Sequence, residues 1–390
     1  MVISYGKQSV DKSDKLTVLK SFNQLNLTSG KYLNLFEKKL KIYLGCKYVL
    51  ACSSGTSSIF LALKSLELKK NDIVIMPIVN FIASANISKL LGFKIFFADI
   101  DAITGQMTNE TLEKCIQQNK LKKIQAVITM HMAGHPYNIV NFYKLKNKYN
   151  FKLIEDACHA LGSEYKKKKI FKIGSCKHSD ISTFSFHPLK TITTGEGGCL
   201  ATNNKLIYDK AKNLRSHGFE TNKNKPHWNY DLIQSSLNFR LSEINCALGF
   251  SQMQKINKFL NKRRIIAKNY YKLFNEDVFL KKYVNTPNIL NKHIKSAWHL
   301  FLININFSYF NTTKIELMKH LLTKNIKVQF HYTPIYEFKK IEIKKISFPG
   351  AQEYKSTTLS IPIFYDLKKN QQEKIVLIIK KFLKKKLIKK

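Results

Sequence analysis

Between residues 48 and 202 the chain alternates short, apolar, β-branched runs with helical stretches, and that alternation constrains the fold more than any other feature. Residues 48–52, 72–77, 94–99, 126–132, 151–156 and 181–186 read as strands, and helical spacing occupies most of the gaps. Strands joined through helices form parallel sheets with a helix layer on each face. The class is therefore α/β, built on a mainly parallel sheet. Ligands of such sheets bind outside the carboxyl ends of the strands. Reactive side chains just past those ends are accordingly the candidates for function.

Two strand ends stand out. The run at 151–156 ends on Asp156, and the run at 181–186 is stopped by Pro188, which has no backbone donor for a ladder. Lys190 follows in a tight turn, and Gly195-Glu196-Gly197-Gly198 bends the chain into a further strand at 199–202. A lysine on a tight turn between apolar strands is partly buried, which lowers its pKa and leaves a neutral amine able to attack a carbonyl. In a chain this rich in lysine, an ordinary surface lysine is the competing reading. A turn lysine beside a strand-end carboxylate is what a pyridoxal phosphate site requires: the lysine forms a Schiff base and the acid keeps the pyridine nitrogen protonated. Taken alone, an Asp at a strand end is more often a helix cap. The small-residue loop at 53–58, Ser-Ser-Gly-Thr-Ser-Ser, leads from a strand into a helix and offers free N–H groups to a phosphate, or simply caps the helix.

The stretches EDACHALGSEY (155–165), FSFHPLKTITTGEGG (184–198), RSHGF (215–219) and NFRLSEINCALGFSQM (238–253) resemble the DegT/DnrJ/EryC1/StrS sugar aminotransferases, and the similarity runs from Tyr5 to about residue 362. The resemblance implies a fold type I, aspartate aminotransferase-like pyridoxal phosphate enzyme: a large domain with a mainly parallel mixed sheet over residues 1–255 and a smaller α+β domain over 256–390. It implies pyridoxal 5′-phosphate bound covalently on Lys190, with Asp156 on the ring nitrogen. Gly55, Thr56 and Ser185 would hold the phosphate, Phe81 would stack on the ring, and His159 would lie beside the phenolic oxygen. Asn238 would reach the cofactor of a neighbouring subunit, which makes the expected assembly a homodimer with composite sites. Tyr5, Asn26, Leu27, Thr28, Arg240, His331 and Tyr332 are the positions where such enzymes meet a nucleotide sugar. Lys190 argues against the family's dehydratases, which carry histidine there.

CHALGSEY, FSFHPLKTITTGEGG and QFHYTPIY narrow the resemblance to the branch that uses L-glutamate to aminate C4 of a UDP-linked 4-keto-6-deoxy-N-acetylhexosamine for pseudaminic acid. A relative acting on another keto sugar, at C3 or on another epimer, is the alternative enzyme reading. A catalytically silent cofactor-binding regulator and a lysine-rich scaffold for acidic partners are the non-enzyme alternatives. Read without the resemblance, His331 is a satisfied histidine, Phe81 a core aromatic, and Asn238 a cap or turn residue.

A formal net charge of +40 over 390 residues would ordinarily suggest nucleic acid. Here the charge is almost all lysine and is spread along the chain, with arginine only at 215, 240, 263 and 264. Neither nucleic acid nor an anionic membrane is therefore an expected partner, although a positive field would attract a diphosphate. The dense runs at 166–169 and the C-terminal KKFLKKKLIKK read as a hairpin turn and a solvated helix end. Seven cysteines form neither a CxxC pair nor a Cys/His metal spacing, so no metal site is expected. The opening MVISYGKQSVDKSDK has no apolar core or small-residue cleavage site, and no run approaches a membrane span of ~18 residues, so a cytoplasmic protein is expected. In the C-terminal part, 300–304 and 326–330 read as strands flanking a helix over 313–323.

Overall fold

A computed structural model describes residues 2–221, 226, 228–289, 291–341 and 347–388. Among the described residues, nine strands lie between 48 and 202: β1 (Tyr48–Cys52), β2 (Ile73–Pro77), β3 (Lys94–Ala98), β4 (Ala126–Met130), β5 (Lys152–Asp156), β6 (Glu164–Lys166), β7 (Ile170–Lys172), β8 (Ile181–Ser185) and β9 (Gly198–Thr202). Seven of them form one sheet in the order β1-β9-β8-β5-β4-β2-β3. β3, β2, β4, β5 and β8 are parallel, and β9 runs against both β8 and β1. The reversal has a simple cause. The connection over 186–197 contains no helix to carry a parallel crossover, so the chain doubles back on itself. The lysine turn is that short connection. β6 and β7 leave the sheet as an antiparallel hairpin whose tip is the lysine run at 167–169.

Helices α1 (Lys12–Ser21), α2 (Lys31–Leu44), α3 (Gly55–Lys64), α4 (Ala83–Leu90), α5 (Asn109–Gln118), α6 (Ile139–Tyr149), α7 (Lys205–Arg215) and α8 (Glu243–Gln254) surround the sheet. Phe36 and Leu40 of α2 pack with Leu153 and Phe184 in one apolar layer. Ile59 and Leu63 of α3 pack with Val74, Ile128 and Leu200 in the other. Alternate residues of a strand face opposite sides, so burial on both faces makes the strands near-continuously apolar. The two layers are the reason the alternating pattern was readable.

A short hairpin, β10 (Phe219–Thr221) and β11 (Tyr230–Leu232), precedes α8. The long α9 (Ile256–Asn275) then leads through α10 (Val278–Tyr283) into the C-terminal part. There β12 (Val284–Asn285), β14 (Phe301–Ile305) and β15 (Thr358–Ile361) form an antiparallel sheet, while β13 (Ile294–Lys295) pairs instead with β6. Helices α11 (Lys314–Thr323), α12 (Pro349–Thr357) and α13 (Lys369–Ile388) complete this region. Tyr270, Phe301, Leu317, Leu359 and Ile379 share its core with Ile3 from the other end of the chain.

The strand expected over 326–330 is not formed. That segment makes two isolated bridges, Ile326 to Ile3 and Gln329 to Ser360, so it changes partner before a ladder can develop. The Tyr5 carbonyl accepts from Ile363 N at 3.2 Å, which ties the N-terminal strap across the C-terminal part. Among the described residues no helix is long and apolar enough to cross a membrane.

Candidate active site

The connection from β8 to β9 is fastened at its base. Phe186 N donates to the Gly197 carbonyl at 2.8 Å, and Thr194 N donates to the Phe186 carbonyl at 3.0 Å. Gly195 stands at φ +80°, a left-handed conformation that glycine adopts without steric cost. On the free arc of this loop, Lys190 N donates to the His187 carbonyl at 2.9 Å, so the lysine sits in a closed turn. Its side chain is half-buried. Burial lowers its pKa, the Cys158 thiol and the Asp156 carboxylate push the other way, and the Arg263 guanidinium adds to the lowering. The net shift is downward, which increases the neutral amine available at working pH.

Lys190 opens onto a cavity of about 480 Å³ past the ends of β5 and β8. Tyr5, Gly55, Thr56, Phe81, Asp156, His159, Ser185, His331 and Tyr332 line it as well. Ten of the fifteen positions singled out from the sequence thus meet in one space. The other five gather elsewhere. Asn26, Leu27, Thr28 and Asn238 are exposed, and Arg240 is half-buried. Glu243 N donates to the Leu27 carbonyl at 2.9 Å, Thr28 bridges Ser242, and Arg240 N donates to Asn238 Oδ1 at 3.1 Å. These five lie along one exposed edge and do not line the cavity of their own chain.

Asp156 is 3% exposed and begins no helix, so it is not a cap. Its Oδ1 accepts from Cys158 N at 3.1 Å, and no ion pair to it forms among the described residues. Burial raises its pKa despite hydrogen bonds from Cys158 and the nearby Lys190 charge. A buried carboxyl without a paired cation is costly. A protonated pyridine nitrogen is the kind of group that would relieve it, so this residue fits the cofactor.

The phosphate end fits too. Ser54 Oγ caps α3 by accepting from Ser57 N at 3.0 Å, which leaves the first-turn N–H groups of Gly55 and Thr56 without intrahelical acceptors. A Cβ on Gly55 would lie 2.8 Å from Ser185 Cβ, so the loop and β8 approach closely only because residue 55 is glycine. Backbone donors, two hydroxyls and a helix N-terminus converge there, a natural anion seat.

His159 is buried, with Nε2 2.9 Å from the Tyr332 hydroxyl and Nδ1 without a hydrogen-bond partner among the described residues. Burial is the main reason its pKa lies well below the usual imidazole value, with the neighbouring Lys190 and His331 acting in the same direction. His331 Nδ1 lies 2.9 Å from Ser360 Oγ, and burial pushes its pKa down to about 3. Phe81 is half exposed, with its ring 5.6 Å from that of Tyr332.

Sequence reasoning missed His299. It is buried, its ring lies 4.2 Å from His159, its Nδ1 is likewise unpartnered, and it lines the cavity. His299 precedes β14, and the rule that sites gather at carboxyl strand ends passes over residues at a strand's start. Cys158, His187 and Glu196 also line the cavity; each sits within one to six residues of a predicted site residue, which was the available signal.

A turn lysine and a strand-end aspartate facing one cavity, on a mostly parallel sheet with a small antiparallel C-terminal sheet, define a pyridoxal phosphate-dependent transaminase of the aminotransferase fold. Residues 8–380 match the model of the DegT/DnrJ/EryC1/StrS aminotransferase family, and the chain belongs to that family: it is a sugar aminotransferase. It is 37% identical over 369 residues to a Campylobacter jejuni UDP-4-amino-4,6-dideoxy-N-acetyl-beta-L-altrosamine transaminase, covering 94% of this chain and 93% of that one. The solved structure of Helicobacter pylori PseC, an aminotransferase involved in the biosynthesis of pseudoaminic acid, superposes with a TM-score of 0.86 at 30% identity, covering 99% of this chain and 100% of that one. A putative sugar aminotransferase from Streptococcus pneumoniae in its PLP form has the same fold, with a TM-score of 0.87 at 21% identity over 99% of this chain and 100% of that one.

Proposed function

We propose that this enzyme moves the amino group of L-glutamate to C4 of a UDP-linked 4-keto-6-deoxy-N-acetylhexosamine, in the formation of pseudaminic acid. The observation that carries the reading is the 37% identity to the Campylobacter jejuni transaminase across 94% of the chain, with the cavity residues in place.

When bound, covalently on Lys190, pyridoxal phosphate supplies a ring that accepts the electron pair left on the donor's α-carbon. Gly55, Thr56 and Ser185 hold the phosphate and fix its position. Asp156 keeps a proton on the ring nitrogen. As a free amine, Lys190 would act as the general base that takes the proton from the donor α-carbon and as the acid that returns it on the other side of the transferred nitrogen. Its lowered pKa suits that exchange. With the keto sugar, the same amine runs the steps in reverse. Phe81, His159 and Tyr332 confine the cofactor, while Tyr5 and His331 face the sugar.

The exposed edge carrying Asn26–Thr28, Asn238 and Arg240 contributes to the cavity of a second copy, so the working unit is a homodimer with two composite sites. Leu25 at 98%, Leu237 at 61% and Phe22 at 55% exposure lie in the same two segments, the apolar surface such an interface would cover. The two-domain division at 255/256 belongs to this reading, with the break between α8 and α9.

The test is the visible spectrum of the purified protein. A yellow band should bleach on adding L-glutamate and return with the UDP-4-keto sugar, and Lys190→Ala should abolish both changes. A protein that stays colourless after incubation with pyridoxal phosphate would falsify the assignment. Bleaching that only a different keto sugar reverses would retain the transaminase and replace the substrate.

A further inference from the structure

Arg263 occupies a position where the pattern of its own helix calls for an apolar residue. On α9 the buried face consists of Ile256, Phe259, Leu260, Ile266, Ala267, Tyr270 and Phe274, and Arg263 falls in register with them at 3% exposure. A guanidinium in such a place costs several kcal/mol unless it is well hydrogen-bonded, on the order of the penalty for any buried ion. Its hydrogen bonds go to backbone carbonyls. Nη1 donates to Ile363 O at 3.1 Å, Trp298 O at 3.2 Å and His299 O at 3.4 Å, and Nη2 to Leu189 O at 3.5 Å. No carboxylate pairs with it among the described residues.

Those carbonyls belong to three separate segments that meet at the cavity. Leu189 immediately precedes Lys190 on the turn, His299 lines the cavity wall, and Ile363 is the residue whose N–H holds the strap at Tyr5. A lysine could not do this, because one ammonium presents a point charge and not a planar fork of five donors. The chain has 66 Lys and Arg residues, only four of them arginine, yet arginine stands at this crossing. The adjacent Arg264 makes the same kind of contact, to Ser296 O at 3.2 Å and Gly162 O at 3.1 Å, but none of its contacts reaches the lysine turn.

We infer that Arg263 is a positioning residue for amino transfer: its fork fixes the Lys190 turn against the C-terminal wall of the cavity. The inference rests on Lys190 being the transaminase lysine. Groups sharing the cavity with Lys190 are the carboxyls of Asp156 and Glu196, the thiol of Cys158, the imidazoles of His159, His187, His299 and His331, and the phenols of Tyr5 and Tyr332. Burial holds all four imidazoles below their ordinary pKa, so none supplies a cation at neutral pH. Burial is the largest effect and lowers the amine's pKa, while the Cys158 thiol and the Asp156 carboxylate oppose it. The Arg263 guanidinium, whose own pKa burial pushes down to about 10, adds the smallest share on the side of burial.

The experiment compares Arg263→Lys with Arg263→Gln, reading amine labelling in cofactor-free protein and bleaching after pyridoxal phosphate is restored. Trace acetic anhydride labels neutral amines, and peptide mass spectrometry reads Lys190 against the exposed lysines as a function of pH. In the parent protein, Lys190 should label with a lower midpoint than the exposed lysines. Arg263→Gln should raise that midpoint by about half a unit or more, since a nearby like charge is removed. Arg263→Lys keeps a charge but loses the fork, so its midpoint should move less while glutamate-driven bleaching slows about tenfold. Midpoints that coincide in all three proteins, with bleaching unchanged, make Arg263 a cross-link of the fold and overturn the inference. If Arg263→Gln does not fold, an unimpaired bleaching rate in Arg263→Lys overturns it on its own. Failure of both variants to fold assigns the residue to stability and has the same consequence. None of these outcomes bears on whether the parent protein bleaches with L-glutamate, which tests the function itself.

Discussion

Glu155 and Asp156 are consecutive on β5 and both almost fully buried, yet their carboxyl groups are pushed in opposite directions. A strand turns successive side chains to opposite faces. Glu155 meets His131 Nε2 at 3.1 Å and Ser179 Oγ at 2.9 Å, and accepts from Ser182 Oγ as well. Burial alone would raise its pKa, but the His131 contact and the two hydroxyls outweigh it and hold the carboxylate ionised. Asp156 turns to the cavity and finds one residue, Cys158, as donor. Glu155 belongs to the scaffold, and Asp156 is left available for a ligand.

Asp156→Asn should reduce the glutamate half-reaction by at least about 10²-fold, because an amide cannot hold the proton on the ring nitrogen. Glu155→Gln should reduce it by far less per folded molecule. Stopped-flow bleaching of the visible band measures both. Equal losses would place Glu155 in the chemistry and undo the division of labour.

Stability should divide the same pair with opposite sign. Glu155 has a depressed pKa, so its contribution is present above the ordinary carboxylate range and lost as pH falls through its folded value. Glu155→Gln should therefore cost about 2–4 kcal/mol near neutrality, since His131 keeps a weakened partner, and less in acid. The raised pKa of Asp156 works the other way: what the group contributes is present in acid and lost as pH rises through that value. Cofactor-free Asp156→Asn should accordingly equal or exceed the parent in thermal midpoint at neutral pH, with any gain vanishing near about pH 4. Calorimetry across that range gives both slopes.

Gly55→Ala tests the phosphate seat. The new methyl would meet Ser185 Cβ at 2.8 Å and Cys158 Sγ at 3.2 Å, and the first of these is anchored to a sheet strand that cannot yield. Overpacking of this kind costs about 1–3 kcal/mol. Displacement of the Ser185 hydroxyl and the first N–H groups of α3 should weaken pyridoxal phosphate binding at least about tenfold. Titration of cofactor-free protein reads this directly; unchanged affinity would mean that the phosphate sits elsewhere.

Much of this site was legible because its parts obey local rules. The strands of the large sheet are buried on both faces and so are apolar throughout, and Asp156 and Lys190 follow such runs within a few residues. The ends of β8 and β9 were set by Pro188 and the glycines. What escaped depends on partners distant in sequence. Residues 326–330 have a strand-like composition, but Ile3 and Ser360 divide their pairing. His299 enters the cavity from the start of a strand, and Arg263 lies on a helix face that reads as plain core. Nothing near either residue in sequence announces the carbonyls and rings they meet.

The edge formed by Asn26–Thr28, Asn238 and Arg240 leads to a prediction about assembly. Leu27 and Thr28 are joined to the segment that carries Asn238 and Arg240 through Glu243 N and Ser242, yet none of the five lines the cavity lined by Lys190 in the same chain. If they complete a second copy's cavity, Lys190→Ala and Asn238→Ala damage different halves of one composite site. Each homodimer should then be impaired. Mixing the two after reversible dissociation would give about half heterodimers, each with one intact site and one doubly damaged site. Activity should recover to about a quarter of the parent level, a gain that neither variant shows alone. Recovery depends on subunit exchange, so it should grow with time after mixing and fail when the dimers are cross-linked first. No recovery after demonstrated exchange would return Asn238 to its own chain, as a turn residue whose Oδ1 accepts from Arg240 N and does nothing more.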